Sequence, residues 1–350
     1  MAEYSKLLLS TGGGIISTQQ QAEQVQNTAS ILIGLGGTGI DCIKTIKAAV
    51  RERLKPDDPD AVVAEYSHIQ FLGVDTDKKS FKKKEGKSLE STHVTARDLK
   101  VLDDTEIFDI SNAAIGAALS KPKAIELRPE LKWLNYKDQS FRIPDLGDSG
   151  AGGFRQIGRY MFMDKSNDFM DRVGDMVTRA KRGLTNPDVN IHIFAGLSGG
   201  TGSGSFLDAC YMVKSVAAEH GATVFGYFFL PDVNLSRIAL ENRLVRAYIP
   251  CNGYAAMQEL DYCMRLSENG GSFTQTYKGG KQIKWDGAPV TMCHLICATN
   301  TNGDVIPNAY NYAMNVTSEY VMDFLTEPQD TKNFGIRSHL SNYQNQIASA

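Results

Sequence analysis

One stretch of the chain combines glycine with hydroxyl residues where a strand should pass into a helix. It follows the apolar run 191–195, precedes an apolar helical pattern over 206–218, and reads Gly196-Leu197-Ser198-Gly199-Gly200-Thr201-Gly202-Ser203-Gly204-Ser205. Glycine lets backbone N–H groups close on an oxyanion, and the start of a helix adds roughly half a positive charge. The sequence therefore predicts a phosphate-binding loop here.

Two further glycine clusters lie earlier in the chain, at 34–39 and 150–153. The first has the spacing G-x-G-x-x-G after the apolar strand 31–33, a pattern typical of dinucleotide-binding folds. That pattern expects an acidic residue about 20 positions later, whereas the matching acids, Asp75 and Asp77, lie much further along. None of the three clusters carries the Gly-Lys-Ser/Thr of a P-loop, and neither single-loop fold explains why there are three of them.

Asp75-Thr76-Asp77 follows a second predicted strand, 69–74. Two carboxylates at the end of a strand suit Mg²⁺, which prefers carboxylate and water ligands. The same residue types also suit the N-cap of a helix. Both interpretations remain open from the sequence.

Composition limits the class of protein. The 350 residues carry a net charge of −3 and include no run of 18 apolar residues, so we expect neither a nucleic-acid surface nor a membrane segment. The cysteines are scattered without a Cys-x-x-Cys motif, which favours free thiols in a reducing cytoplasm. They are Cys42, Cys210, Cys251, Cys263, Cys293 and Cys297.

Apolar runs and helical patterns alternate along most of the chain. This alternation predicts an α/β fold, a doubly wound and mostly parallel sheet with helices on both faces. Further strands are predicted at 189–195, 222–230 and 290–298, long helices at 159–182 and 309–325, and a hairpin at 273–285. We also predict a helix over 123–136, a partly helical segment at 105–119, and two helices, 236–248 and 254–266, separated by Pro250.

Taken together, the motifs resemble the nucleotide-binding loops of the tubulin/FtsZ superfamily. Four of them occur in order over about 31–235: Gly36-Gly37-Thr38-Gly39 followed by Asp41, where FtsZ has Asn; Val74-Asp75-Thr76-Asp77; Gly150-Ala151-Gly152-Gly153; and Gly199-Gly200-Thr201-Gly202-Ser203-Gly204. Pro231 is similar to the start of the ribose-contacting loop. The helix start at Asn252 looks most like divergent bacterial tubulin-like proteins, and Asn252 joins the candidate nucleotide-binding residues.

The resemblance implies a GTP/GDP site with Mg²⁺ bound near Asp75 and Asp77. The first loop would hold the α- and β-phosphates, the third would contact the γ-phosphate, and the fourth would wrap the β-phosphate. The residues in these roles are Gly36, Gly37 and Thr38; Ala151, Gly152 and Gly153; and Gly199, Gly200, Thr201, Gly202 and Ser203. Asp41 and Ser198 are further candidate nucleotide-binding residues. The resemblance implies that guanine is read by Asn300, or its neighbour Asn302, and by Asn311 or Asn315, with Tyr310 or Tyr312 as the candidate that stacks on the base. The alternative for Asn300 and Asn302 is a turn.

The resemblance also implies head-to-tail filaments, in which a loop of the next subunit completes the hydrolytic site. In the corresponding stretch, His339 and Asn342 stand where acids are expected, and Asp323, Glu327 and Asp330 are candidates if the loop is shifted. A nucleotide-dependent switch or scaffold without hydrolysis is therefore an alternative, and a Rossmann-type NAD-binding oxidoreductase a weaker one. We expect an N-terminal arm at 1–30, a nucleotide-binding domain at 31–308 with an insertion at about 82–140, and at 309–350 a central helix leading to a truncated second domain.

Overall fold

A six-stranded parallel sheet forms the centre of the protein. The structure is a computed structural model, and it describes residues 28–54, 67–81, 102–137, 150–268, 270–300, 302–304 and 306–326. The strands of the sheet are β1 (Thr28–Leu35), β2 (Ile69–Asp75), β3 (Ile107–Asp109), β4 (Asp188–Gly196), β5 (Thr223–Phe229) and β8 (Met292–Ile296). A separate antiparallel hairpin pairs β6 (Phe273–Thr276) with β7 (Gln282–Trp285). The predicted α/β class and the predicted hairpin are confirmed.

Helices connect the strands and cover both faces of the sheet. They are α1 (Gly36–Leu54), α2 (Ile115–Leu119), α3 (Pro122–Glu126), α4 (Arg155–Asp164), α5 (Ser166–Ala180), α6 (Thr201–Ala217), α7 (Pro231–Leu235), α8 (Arg243–Met264) and α9 (Ala309–Thr326). Short 3₁₀ turns lie at Lys78–Ser80, Asp104–Glu106, Pro129–Leu131, Ala218–His220 and Lys278–Gly280. None of the helices in the described ranges is long and apolar enough to cross a membrane.

The strand order reverses direction between β1 and β4, which lie side by side at the centre of the sheet. The order is β3-β2-β1-β4-β5-β8, and all five pairings are parallel. From β1 the chain passes through α1 to β2 on one side, whereas β4 lies directly against β1 on the other. In such sheets ligands bind beyond the carboxyl ends of the strands, at the point where the order reverses. Here that point lies between β1 and β4.

Alternate residues of the central strands enter two separate cores. On β1, Ile31 and Ile33 pack into a core with α4, α5 and α6, whereas Leu32 packs into a core with α1 and α9. Both faces of the sheet are thus buried, which explains why its strands are continuous apolar runs rather than alternating ones.

The prediction of two helices separated by Pro250 is wrong. Asn242 caps α8, accepting a hydrogen bond from the Val245 amide at 3.3 Å, and the helix continues through Pro250 to Met264. Proline cannot bond to the carbonyl four residues earlier, which usually breaks a helix. Here one buried face continues across the proline, and its packing outweighs the lost bond. This face comprises Ile249, Gly253, Ala256, Leu260 and Cys263.

Two other helix predictions differ from the structure. The predicted helix at 123–136 is limited to α3 and a 3₁₀ turn, because Pro129 starts the turn and Trp133 lies beyond it. The predicted helix at 159–182 is divided into α4 and α5 at Lys165. Within 105–119, the sequence pattern missed β3, three residues long, which pairs with β2 at the edge of the sheet.

Candidate functional site

The predicted loops meet at the carboxyl edge of β1, β2 and β4. Their contacts are so close that a β-carbon on Gly36 would lie 2.7 Å from the amide nitrogen of Gly202, and one on Gly200 would lie 2.7 Å from the β-carbon of Ala151. A β-carbon on Gly150 would lie 3.1 Å from that of Asp77. Because Gly36 and Gly150 also have positive φ, glycine is required there for both space and conformation.

An asparagine that the sequence analysis did not select links the first loop to the fourth. Asn234, on α7, accepts a hydrogen bond from the Thr38 hydroxyl at 3.0 Å and donates one to the Ser198 hydroxyl at 3.1 Å. Its position three residues after Pro231, in the segment that resembles a ribose-contacting loop, was the sequence signal that could have identified it. The short helix that resembles a ribose-contacting loop thus holds one hydroxyl of the first loop and one of the fourth in place.

Asn252 links the third loop to the fourth. Its side-chain nitrogen donates to the carbonyl of Gly153 and to the carbonyl of Ser198, both at 2.9 Å. From the preceding turn of α8, Tyr248 lies against Gly153, where a β-carbon would come within 2.6 Å of the tyrosine ring. In the structure, Asn252 therefore contacts the loops themselves and holds them together.

Asp75 and Thr76 connect the second loop to the start of α6. The buried Asp75 carboxylate accepts a hydrogen bond from the Ser80 hydroxyl at 2.5 Å, and the hydroxyls of Thr76 and Thr201 lie 2.6 Å apart. Burial raises the pKa of Asp75, and hydrogen bonds from Ser80, Thr201 and the backbone oppose that rise. A β-carbon on Gly37 would lie 3.9 Å from an Asp75 oxygen, so this carboxylate adjoins the first loop.

The donors around Asp75 fit a magnesium ion. Mg²⁺ is usually bound by one or two carboxylates, water and the phosphates of a nucleotide. Asp75 supplies one carboxylate beside the first loop, and the hydroxyls of Ser80, Thr76 and Thr201 lie close to it. In the described part of the chain, no group of three or more His, Cys, Asp or Glu side chains is arranged to hold a metal by itself. Asp77 serves as the N-cap of the turn Lys78–Ser80, accepting from the Lys79 amide at 2.9 Å.

Asp41 lies in a cluster beside the first loop. Its carboxylate accepts a hydrogen bond from the Tyr310 hydroxyl at 2.8 Å and lies 3.6 Å from a guanidinium nitrogen of Arg237. That guanidinium covers the Tyr310 ring, 4.2 Å from its centroid. Burial, and then the charge of Asp41, raises the pKa of Tyr310. Arg237 therefore lies on a ring face that the sequence analysis assigned to a base.

The asparagines predicted to read guanine are engaged or exposed. Asn300 accepts from the amides of Asn302 and Asp304, as in the alternative turn interpretation, and donates to the Asp304 carboxylate. Asn311 donates to the side chain of Asn308 at 2.9 Å, and Asn315 is exposed on α9. Their role in reading guanine stays a prediction.

Ser203 links the fourth loop to Arg155 of α4. Its hydroxyl accepts a hydrogen bond from Arg155 Nε at 2.8 Å, and the same guanidinium pairs with Glu259 of α8. Arg155 lies two residues after the third glycine cluster, and the sequence analysis did not select it. Gly152 of the third loop and Gly199 of the fourth are exposed to solvent.

The residues predicted to complete the hydrolytic site are not described by the structure. His339, Asn342, Glu327 and Asp330 lie outside the described residues, as does the side chain of Asp323.

A family model described as "Tubulin like" matches residues 31–349, nearly the whole chain. The chain belongs to the tubulin-like family. No curated protein sequence matches it. The tubulin-like resemblance inferred from the loop motifs is confirmed.

Solved structures of similar proteins have low identity to this tubulin-like chain. CetZ2 from Haloferax volcanii, a GTPγS-bound protofilament, is 13% identical, with a TM-score of 0.42, over 85% of this chain and 58% of that one. TubZ of Bacillus thuringiensis serovar israelensis, a GTPγS-form protofilament, is 12% identical, with a TM-score of 0.41, over 86% and 57%. The chain thus spans less than two thirds of the length of these proteins.

Proposed function

We propose that this chain binds GTP or GDP with Mg²⁺ between its four loops and assembles head to tail with further copies of itself. The observation that carries the proposal is the convergence of three glycine loops and Asp75 at one edge of the sheet. The long helices α1 and α6 both begin there, and neither has an acidic residue in its first turn. Their N-terminal dipoles therefore favour an anion at this edge.

The roles of the loops follow from their places. Backbone N–H groups at Gly36, Gly37 and 199–202 would bind phosphate oxygens, and the exposed Gly152 would approach the terminal phosphate. Asp75 would hold Mg²⁺, which supplies charge neutralisation of the phosphates. Membership of the tubulin-like family supports assembly, and a repeated head-to-tail contact that does not close on itself produces a filament. Free cysteines throughout the chain suit the cytoplasm.

The first test is the identity of the nucleotide that co-purifies with the protein, read by mass. Bound GDP or GTP supports the proposal, and bound NAD would instead support the oxidoreductase alternative. Mg²⁺ should tighten the binding of GTP to the wild type, but have little effect on Asp75→Asn, since that variant lacks the carboxylate.

The second test is the rate of phosphate release per subunit over a wide range of protein concentration. If the next subunit completes the site, that rate should rise steeply with concentration. A constant rate would contradict a shared site. Filaments that keep intact GTP for hours would contradict hydrolysis and support the switch or scaffold alternative.

A further inference from the structure

A cavity of about 410 Å³ lies between α4, α6, α8 and the strand β6. Its lining includes Arg155 and Gly204, in the first turns of the two helices that follow the third and fourth loops. Sites that bind small molecules have volumes of about 300–1,000 Å³. The cavity is therefore large enough for a ligand with two fused rings.

Aromatic rings form part of the cavity wall. The Arg159 guanidinium lies over the Trp133 ring, 4.4 Å from its centroid. Phe273 of β6 is stacked on Tyr211, with 3.8 Å between ring centroids, which fixes the orientation of its ring. Tyr262 of α8 is 65% exposed and borders the cavity on its solvent side. Aromatic side chains from three parts of the chain thus surround a space that a planar ring can fill.

The carboxylates in the cavity wall are already paired. Asp208, which is 2% exposed, accepts hydrogen bonds from Arg159 Nε at 2.6 Å and from the Tyr277 hydroxyl at 3.0 Å. Glu259 accepts from the Arg155 guanidinium through both of its oxygens. A ligand that offered only hydrogen-bond donors would therefore have to break one of these pairs.

Hydrogen-bond donors, by contrast, are in excess. Gln156 accepts from the Asn135 amide at 2.8 Å through Oε1, which leaves the two N–H groups of its Nε2 for a ligand. Arg159 uses Nε and Nη2 for its bonds to Asp208 and Gln275, and within the described residues its Nη1 has no partner. Gln156 and Arg159 both line the cavity. An acceptor on a ligand would satisfy these donors, and carboxylate is the acceptor that arginine binds most strongly.

We infer that this cavity is a second ligand site, separate from the nucleotide site, and that it binds a planar aromatic carboxylate. The ring of the ligand packs against Trp133 and Phe273, and its carboxylate accepts hydrogen bonds from Gln156 Nε2 and Arg159 Nη1. Occupation of the cavity does not require a bound nucleotide.

The test is isothermal titration calorimetry of the full chain with 2-naphthoate and two matched compounds. Naphthalene-2-methanol keeps the rings without the charged acceptor, and cyclohexanecarboxylate keeps the acid without a planar ring. We expect 2-naphthoate to bind at least about tenfold more tightly than either compound. Equal affinity for the alcohol would overturn the inference, and so would a failure of 2-naphthoate to bind.

The variant Gln156→Glu tests whether the ligand lies in this cavity. Glutamate keeps the acceptor for the Asn135 amide, removes both donors and places a negative charge beside the carboxylate of the ligand. The affinity for 2-naphthoate should therefore fall about tenfold or more. An acid in the first turn of a helix favours the folded state, so we expect the variant to fold. An unchanged affinity would overturn the inference.

The control is Gln282→Glu, the same change at an exposed position on β7, at the end of the hairpin away from Phe273. It should leave the affinity for 2-naphthoate unchanged. Excess GDP with Mg²⁺ should not displace 2-naphthoate from the wild type. Displacement would mean that the acid occupies the phosphate loops, which would overturn the second site and leave the proposed nucleotide site standing.

Discussion

At the scale of single residues, the site depends on positions where a side chain has no room. Gly36 has a φ of +67° and opens α1 directly against the backbone of Gly202. Backbone atoms of a neighbouring loop cannot rotate away as a flexible side chain can. Glycine at this position is therefore a condition for the first and fourth loops to meet at all.

We predict that Gly36→Ala destabilises the protein and weakens nucleotide binding. The matched control is Gly183→Ala, because Gly183 has a φ of +83° with nothing within 4 Å of its β-carbon position. Both variants should lose about 1–2 kcal/mol to the left-handed conformation. Only Gly36→Ala should lose a further 1–3 kcal/mol, roughly the cost of overpacking. Urea denaturation measures the difference, and equal losses would contradict the packing of the two loops.

The positions of the central strands and of the glycine loops could be predicted from the sequence, because both depend on residues that are close together in the chain. The central strands were found because both of their faces are buried, and the glycine clusters because each follows such a strand. Partners distant in sequence gave no signal: Thr38 and Asn234 are 196 residues apart, and Asp41 and Tyr310 are 269 apart. The roles of Asn234 and Arg237 therefore required the fold.

At the scale of elements, α8 acts on the site through its first half. Tyr248 and Asn252, one turn apart, contact the third loop, and Asn252 also contacts the fourth. The helix passes through Pro250 between them, and its buried face fixes its rotation. Sequence rules that end a helix at proline could not place these two side chains together, because the packing that overrides the rule involves distant residues.

We predict that Asn252→Ala lowers stability by about 2–3 kcal/mol and speeds nucleotide release, because two loop carbonyls lose their donor. The control is Asn167→Ala, at the start of α5, because this change removes a single hydrogen bond, the one to the Lys278 carbonyl. It should cost about 1 kcal/mol and leave the release rate unchanged. Stopped-flow displacement of a fluorescent GDP analogue gives that rate. Unchanged release from Asn252→Ala would show that the loops keep their arrangement without this link.

At the scale of the whole molecule, the sheet separates two cores, and one of them contains a buried histidine. His192 of β4 is fully buried and stacks on Phe225, 4.9 Å between ring centroids. Its Nδ1 lies 3.1 Å from the Tyr227 hydroxyl, while its Nε2 has no hydrogen-bond partner in the structure. Burial, and then the nearby His294, lowers the pKa of His192 to about 3. Folding thus requires the neutral imidazole.

We predict that this residue makes the fold acid-sensitive. The unfolded chain protonates His192 near pH 6.5 and the folded one only near pH 3, so the free energy of unfolding should fall as the pH drops between these values. The loss approaches about 1.4 kcal/mol per pH unit below pH 6. His192→Phe keeps the ring stack and removes the titrating group. The slope of its unfolding free energy against pH should therefore be smaller than that of the wild type, by up to about 1.4 kcal/mol per pH unit below pH 6. Urea denaturation from pH 7.5 to 5 compares it with wild type and with His220→Gln, at a partly buried histidine beyond α6. Equal pH slopes in His192→Phe and wild type would rule out His192 as the source of acid sensitivity.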